Sequence, residues 1–199
     1  MIRISNLYKS YGEHTVISDL SMSFSEGERV AFMAPSGCGK TTLLRVLSGL
    51  EKPDEGSVFL KEQAAFLFQE PRLLPEFTLL TNLTAVMEGK NKKERAAEAL
   101  LKVGLSGEEK KYPHQLSGGM AQRAALARAL VTGRRIFFLD EPFKGLDGET
   151  KRQILALCKE ALADKTVLLV THDEGEARAL CDRVICFSKG MQIERILNL

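Results

Sequence analysis

A short apolar run, Arg29-Val30-Ala31-Phe32-Met33, leads straight into Ala34-Pro35-Ser36-Gly37-Cys38-Gly39-Lys40-Thr41-Thr42, and no other stretch constrains the fold as much. The run reads as a strand, and Thr41 to Gly49 reads as a helix closed by glycine. Strand, glycine-rich turn and helix in that order begin a parallel βαβ unit. The turn suits a polyphosphate. Gly37 and Gly39 let the backbone wrap the phosphates with no Cβ in the way, Lys40 reaches the outer phosphates, and Thr41 offers a hydroxyl to Mg²⁺. The start of the following helix adds its dipole. One position departs from the strict pattern: glycine is expected at 34, where this chain has Ala34. A positive φ there would make the methyl cost about 1 kcal/mol.

Further strands are expected at Ile136–Leu139 and Thr166–Val170, with a helix near Lys151–Leu162 between them, the alternation of a parallel sheet. Ahead of the loop, Ile2, Ile4, Leu7, Val16, Ile17, Leu20, Met22 and Phe24 alternate with polar residues, and Gly12 and Gly27 punctuate them. That pattern predicts short, partly antiparallel strands. Ser57–Leu60 and Ala65–Phe68 add two more, and Glu70 to Leu130 reads as mostly helical, with the polar stretch Glu88–Lys111 facing water. The expected fold class is α/β, a P-loop core with a mostly parallel sheet, an antiparallel β side and a helical subdomain. It forms one domain over 1–199, the core at about 1–69 and 131–199 and the helical part at about 70–130.

The 199 residues, 44% hydrophobic and 27% charged, carry a formal net charge of +2. This near balance gives no argument for a nucleic-acid partner. Apolar runs such as Val167–Val170 are strand-sized, and Met1–Ser5 lacks the apolar stretch of a signal peptide. Cys38, Cys158, Cys181 and Cys186 have no metal-ligand spacing and read as reduced thiols. The expectation is a cytoplasmic protein whose membrane role, if any, comes through a partner.

Leu116-Ser117-Gly118-Gly119-Met120, followed by Ala121-Gln122-Arg123, opens an Ala- and Leu-rich helix. Ser117 caps it and leaves the glycine amides free to meet an anion. In Phe137-Phe138-Leu139-Asp140-Glu141-Pro142, Asp140 closes an apolar strand, so its carboxylate sits at the end of the sheet where ligands bind. Glu141 beside it is a candidate general base. Gln69 ends another strand, in Phe68-Gln69-Glu70-Pro71-Arg72-Leu73-Leu74-Pro75, and His172 follows Val167–Thr171. With the glycine-rich loop, these motifs resemble the ATP-binding subunits of ABC transporters from about Tyr11 to about Gly190.

The resemblance implies an ATPase. Ala34, Pro35, Ser36, Gly37, Cys38, Gly39, Lys40, Thr41 and Thr42 would hold the triphosphate, and Tyr11 would stack on adenine, with Tyr8 a nearby competitor. Thr41, Gln69 and Asp140 would hold Mg²⁺, Glu141 would activate the attacking water, and His172 would contact the γ-phosphate and orient Glu141. Ser117, Gly118, Gly119 and Asp147 would act on ATP bound by a second copy, in a head-to-tail homodimer. The implied partners are a transmembrane permease received near Gln69 and, indirectly, an extracytoplasmic substrate-binding protein, on the cytoplasmic face of the membrane. Phe68–Pro75 looks like the importers of nitrate, sulfonate or taurine, many of which continue with Trp where this chain has Glu76.

Met120 stands where the family usually has Gln, and Lys144-Gly145-Leu146-Asp147 where it usually has Ser-Ala-Leu-Asp. His14 and His114 have no comparable placement and read as exposed or structural. Two other readings stay open. One is a non-transport ABC ATPase acting on ribosomes, DNA or metal-cluster assembly; such proteins usually carry tandem nucleotide domains or a long coiled coil, and this chain shows neither. The other is a non-catalytic module with a decayed site, motivated by Ala34, Met120 and Lys144-Gly145.

Overall fold

The computed structural model describes residues 1–199. Strands β1 (Ile2–Tyr11) and β2 (His14–Phe24) form a hairpin, and β4 (Glu55–Leu60) joins it in an antiparallel sheet ordered β2-β1-β4. The larger sheet runs β5 (Ala64–Leu67), β6 (Ile136–Asp140), β7 (Thr166–Val170), β3 (Arg29–Met33), β8 (Arg183–Phe187) and β9 (Ile193–Asn198). Its pairs are parallel except β8 with β9. Helices α1 (Lys40–Leu47), α2 (Leu79–Thr84), α3 (Lys92–Lys102), α4 (Gly118–Leu130), α5 (Gly148–Ala161) and α6 (Glu174–Leu180) complete the chain. No helix is long and apolar enough to cross a membrane.

The central strands are apolar between their end residues because both of their faces are covered. Val30, Phe32, Phe138, Leu168 and Val170 pack with Ile4, Leu7 and Ile17 of the antiparallel sheet and with Leu43 and Leu44 of α1. Ala31, Phe137, Leu139, Val167 and Leu169 pack on the other side with α4 and α5, through Ala124, Leu126, Ile154 and Cys158. Phe32 joins the two sheets, its ring centroid 5.9 Å from Phe24 and 5.3 Å from Phe187. Burying each such ring stabilises the fold by about 1.5–3 kcal/mol.

Three expectations need correction. The strands ahead of the loop are not short: β1 has 10 residues and β2 has 11. The stretch from Glu70 to Leu130 is helical only in α2, α3, α4 and one 3₁₀ turn at Pro113–Gln115, with loops between. The polar run Glu88–Lys111 does not simply face water, since Ala96, Leu100, Val103 and Leu105 are buried. Ala96 and Leu100 are four residues apart, the spacing that gives α3 one apolar stripe among its charges.

The loop after Gln69 is held by one buried side chain. Asn82 is fully buried, its amide donates to the carbonyls of Leu74 (3.1 Å), Phe77 (3.0 Å) and Thr78 (3.1 Å), and its oxygen accepts from the Leu74 amide at 2.7 Å. Arg128 adds bonds to the carbonyls of Pro71 and Arg72 at 3.2 and 3.0 Å. Asn82→Ala strands several of these groups and is expected to cost about 1–3 kcal/mol of stability, read from urea unfolding. An unchanged midpoint would show that the loop holds without this residue.

Candidate active site

Register brings three strand ends to one level. Phe32 and Asp140 both pair with Val170, so the residues following β3, β6 and β7 leave the sheet together at its carboxyl edge. A cleft of about 320 Å³ opens there, lined by Ser36, Gly37, Cys38, Gly39, Lys40, Thr41, Thr42, Gln69, Asp140 and Glu141 together with His14 and Val16.

The loop closes on glycine. Gly39 has φ 107°, and a Cβ there would stand 2.4 Å from Val16 Cγ1, so β2 can lie against the loop only because position 39 has no side chain. Ala34 is not among the residues with positive φ, and it packs against the core cluster that includes α1. Its departure from glycine therefore carries no backbone strain. Lys40 Nζ donates to the carbonyls of Ala34 at 2.6 Å and Pro35 at 2.9 Å, which centres the ammonium in the curve of the loop. Helix α1 starts at Lys40 with no side-chain cap, leaving its first amides for a ligand. Cys38 is buried, its thiol donating to the Ser188 carbonyl at 2.7 Å.

Asp140 is 2% exposed and accepts a bond from the Thr41 hydroxyl at 2.6 Å. Burial pushes its carboxyl above the ordinary range; the Thr41 bond opposes this and neighbouring Glu141 adds to it. Glu141 adopts φ 46°, a left-handed conformation that costs a residue with a side chain about 1–3 kcal/mol. Its amide donates to the Val170 carbonyl at 2.9 Å, and Gln122, 3% exposed, donates to the carbonyls of Glu141 (3.4 Å) and Pro142 (3.2 Å). These bonds hold the turn. The Glu141 carboxylate then faces three nitrogens: Gln69 Nε2 and Lys144 Nζ, each 3.5 Å from Oε2, and His172 Nδ1, 3.8 Å from Oε1.

His172 sits on the exposed rim, on a loop fastened by charge. Lys151 of α5 lies 2.6 Å from both Asp173 Oδ2 and Glu176 Oε1, and the Thr171 hydroxyl donates to Glu176. The Lys151 bond, followed by the Glu176 amide, holds the Asp173 carboxyl below the usual range.

Of the remaining residues singled out in the sequence, all but His14 lie outside this cleft. Tyr11 is 48% exposed, donates its hydroxyl to Glu51 and has Lys9 Nζ 5.5 Å from its ring centroid. Its hairpin partner His14 is exposed, as expected, and it also lines the cleft, a placement that the sequence reading did not assign to it. The Gly12 turn between them was the available signal, since it carries the second strand back beside the loop. Ser117 caps α4, its Oγ accepting from the Met120 amide at 3.3 Å, while Gly118 and Gly119 form the first turn. Met120 packs on the larger core cluster. Asp147 caps α5, accepting from the amides of Glu149 and Thr150 at 3.1 and 3.0 Å, and these bonds hold its carboxyl low, the Thr150 amide foremost.

The description "ABC transporter" matches residues 17–144. The aliphatic sulfonates import ATP-binding protein SsuB 3 of Paraburkholderia xenovorans is 46% identical over 95% of this chain and 77% of its own length. The SsuB 2 protein of Rhodococcus jostii is 42% identical over 100% of this chain and 83% of its own length. Among solved structures, the dimeric ATP-binding cassette MJ0796 in a post-hydrolysis state with ADP and Pi has a TM-score of 0.91 at 33% identity, covering 100% of this chain and 99% of that one. A second dimeric structure of MJ0796, described as a bacterial ABC transporter cassette, gives 0.92 with the same identity and coverage.

Proposed function

Because the chain belongs to the ABC transporter family, as an ATP-hydrolysing subunit of importer type that pairs with a second copy, we propose that it couples ATP hydrolysis to uptake of a small organic anion of the sulfonate class through a membrane permease. The chain acts as one ATPase domain over 1–199, its helical part at about 70–130. The observation that carries this reading is the meeting of Lys40, the Thr41–Asp140 pair and Glu141 in one cleft.

Residues 34–42 cradle the triphosphate of ATP, with Lys40 supplying positive charge to the β- and γ-phosphates. The Thr41 hydroxyl, the Asp140 carboxylate and the Gln69 amide form a set of hard oxygen donors that suits Mg²⁺, and that ion neutralises phosphate charge when bound. Glu141 takes a proton from water as the water oxygen attacks the γ-phosphorus; the bond to the β–γ bridging oxygen breaks and ADP leaves with that electron pair. His172 and Gln69 aim the Glu141 carboxylate. Tyr11 stacks on adenine from the hairpin beside the cleft. Ser117, Gly118, Gly119 and Asp147 meet the ATP of the second copy in a head-to-tail dimer.

The exposed Leu74 and Phe77 follow Gln69, and this loop receives the permease, which in turn meets an extracytoplasmic binding protein. The subunit thus works on the cytoplasmic face of the membrane, and the sulfonate cargo follows the names of its curated relatives. Tagged Glu141→Gln protein with ATP and Mg²⁺, incubated with solubilised membranes of the source cell, is expected to co-purify with a multi-pass membrane protein. An eluate holding only ribosomes, nucleic acid or soluble assembly factors would sink the transport reading.

A further inference from the structure

We propose that Lys151 is a positioning residue for ATP hydrolysis, its one ammonium anchoring the chain on both sides of His172, an inference that rests on the part given to His172 in the proposed reaction. The His172 side chain is 78% exposed, so its place beside Glu141 depends on the backbone that carries it. That backbone is pinned before and after the histidine. Asp173 is held directly, its Oδ2 2.6 Å from Lys151 Nζ. Thr171 is held through Glu176: its hydroxyl donates to Glu176 Oε2, and Glu176 Oε1 lies 2.6 Å from the same Nζ. The Asp173 amide closes the bracket by donating to Thr171 Oγ1 at 3.1 Å.

The anchor is firm at its far end. Lys151 stands in the first turn of α5, where its amide donates to the carbonyl of the capping Asp147 at 2.8 Å. The Glu176 side chain is 8% exposed and Thr171 is buried, so little water competes for these bonds. Charge-assisted bonds of this kind are about twice as strong as neutral ones. Without Lys151, Asp173 keeps the amides of Gly175 and Glu176, at 2.7 and 3.1 Å, which tie it to α6 but not to α5. The Lys151 charge is answered by two carboxylates, and α5 packs on the face of the large sheet opposite α1. Its effect on hydrolysis therefore passes through His172, whose Nδ1 lies 3.8 Å from Glu141 Oε1. A shift of about 1 Å in a group that orients reacting atoms can cost about 10²-fold in rate.

Steady-state ATP turnover by the full chain tests this over a cycle of wild type, Lys151→Met, His172→Ala and the double variant. Lys151→Met keeps the aliphatic stem and removes the charge; kcat is expected to fall about tenfold with KM for ATP unchanged. His172→Ala is expected to lose about 10²-fold, and adding Lys151→Met to it should change kcat by less than about twofold, because the anchor then has nothing to place. An equal loss with and without His172, or a Lys151→Met rate equal to wild type, overturns the proposal. Removing Lys151 also leaves Glu176 buried without its cation, so Lys151→Met/Glu176→Gln is measured beside it. A restored Tm with kcat still low upholds the anchor, and a kcat that recovers along with Tm overturns it. A His172→Ala rate equal to wild type instead overturns the role of His172 in the reaction, and the anchor with it.

Discussion

Glu141→Gln protein is expected to bind ATP as the wild type does and to hydrolyse it about 10²–10⁴-fold more slowly, the usual contribution of a positioned general base. The substitution is isosteric, and the strained turn is held by the main chain of Glu141 through Val170 and Gln122, which it leaves untouched. Lys40 and the Thr41–Asp140 pair are unchanged. What is lost is the ability to accept a proton from water. The ion pair with Lys144 goes too, but that side chain is 55% exposed and the pair contributes little to stability. Binding and chemistry should therefore separate cleanly, with kcat falling and ATP affinity kept. Unhydrolysed ATP should then hold two copies together, consistent with the dimeric cassettes this chain resembles. Phosphate release over a single turnover measures the first effect, and light scattering behind size exclusion measures the second. A turnover rate near that of wild type, or a monomer in saturating ATP, would refute the assigned role of Glu141.

How much of this was legible in the sequence depends on whether local chemistry or tertiary approach sets the position. β3, β6 and β7 were readable because strands covered on both faces are unbroken apolar runs, and Thr166–Val170 falls on its expected bounds. β9 was not: all six of its residues are exposed, so no alternation marks it. α6, with seven residues, is too short to show a helical period. The loop, Asp140 and Glu141 stand out because phosphate and metal chemistry asks for fixed residue types at fixed local spacing. His14 and Gln122 reach the site only through folding, His14 across a hairpin and Gln122 from a helix about twenty residues upstream. Ala34 had an ambiguous cost in the sequence, and only its backbone angle decides it. The meeting of Lys144 with Glu141 depends on the left-handed turn at Glu141, which no local propensity announces.

Lys40→Ala is expected to weaken ATP binding by at least about 10²-fold, since each charge-assisted hydrogen bond to a phosphate is worth about 1.5–3 kcal/mol. The fold should hardly notice. Lys40 Nζ is bonded to the part-buried carbonyl of Ala34 and the exposed carbonyl of Pro35, and water entering the open cleft can replace it. The loop's shape rests instead on Gly39 pressed against Val16 and on the partly buried Ala34 packed against the core. Thermal unfolding with and without ATP distinguishes these contributions. At a ligand concentration about 100 times Kd, wild type gains about 2.7 kcal/mol, or about 5–10 °C in Tm for a chain of this size. For Lys40→Ala the same concentration lies near or below its own Kd, so the gain shrinks to about 0.4 kcal/mol or less, within about 2 °C. The ligand-free Tm should stay where it was. A drop in that baseline would make Lys40 a structural residue of the loop, and an undiminished ATP shift would mean that the backbone amides and the start of α1 hold the triphosphate without it.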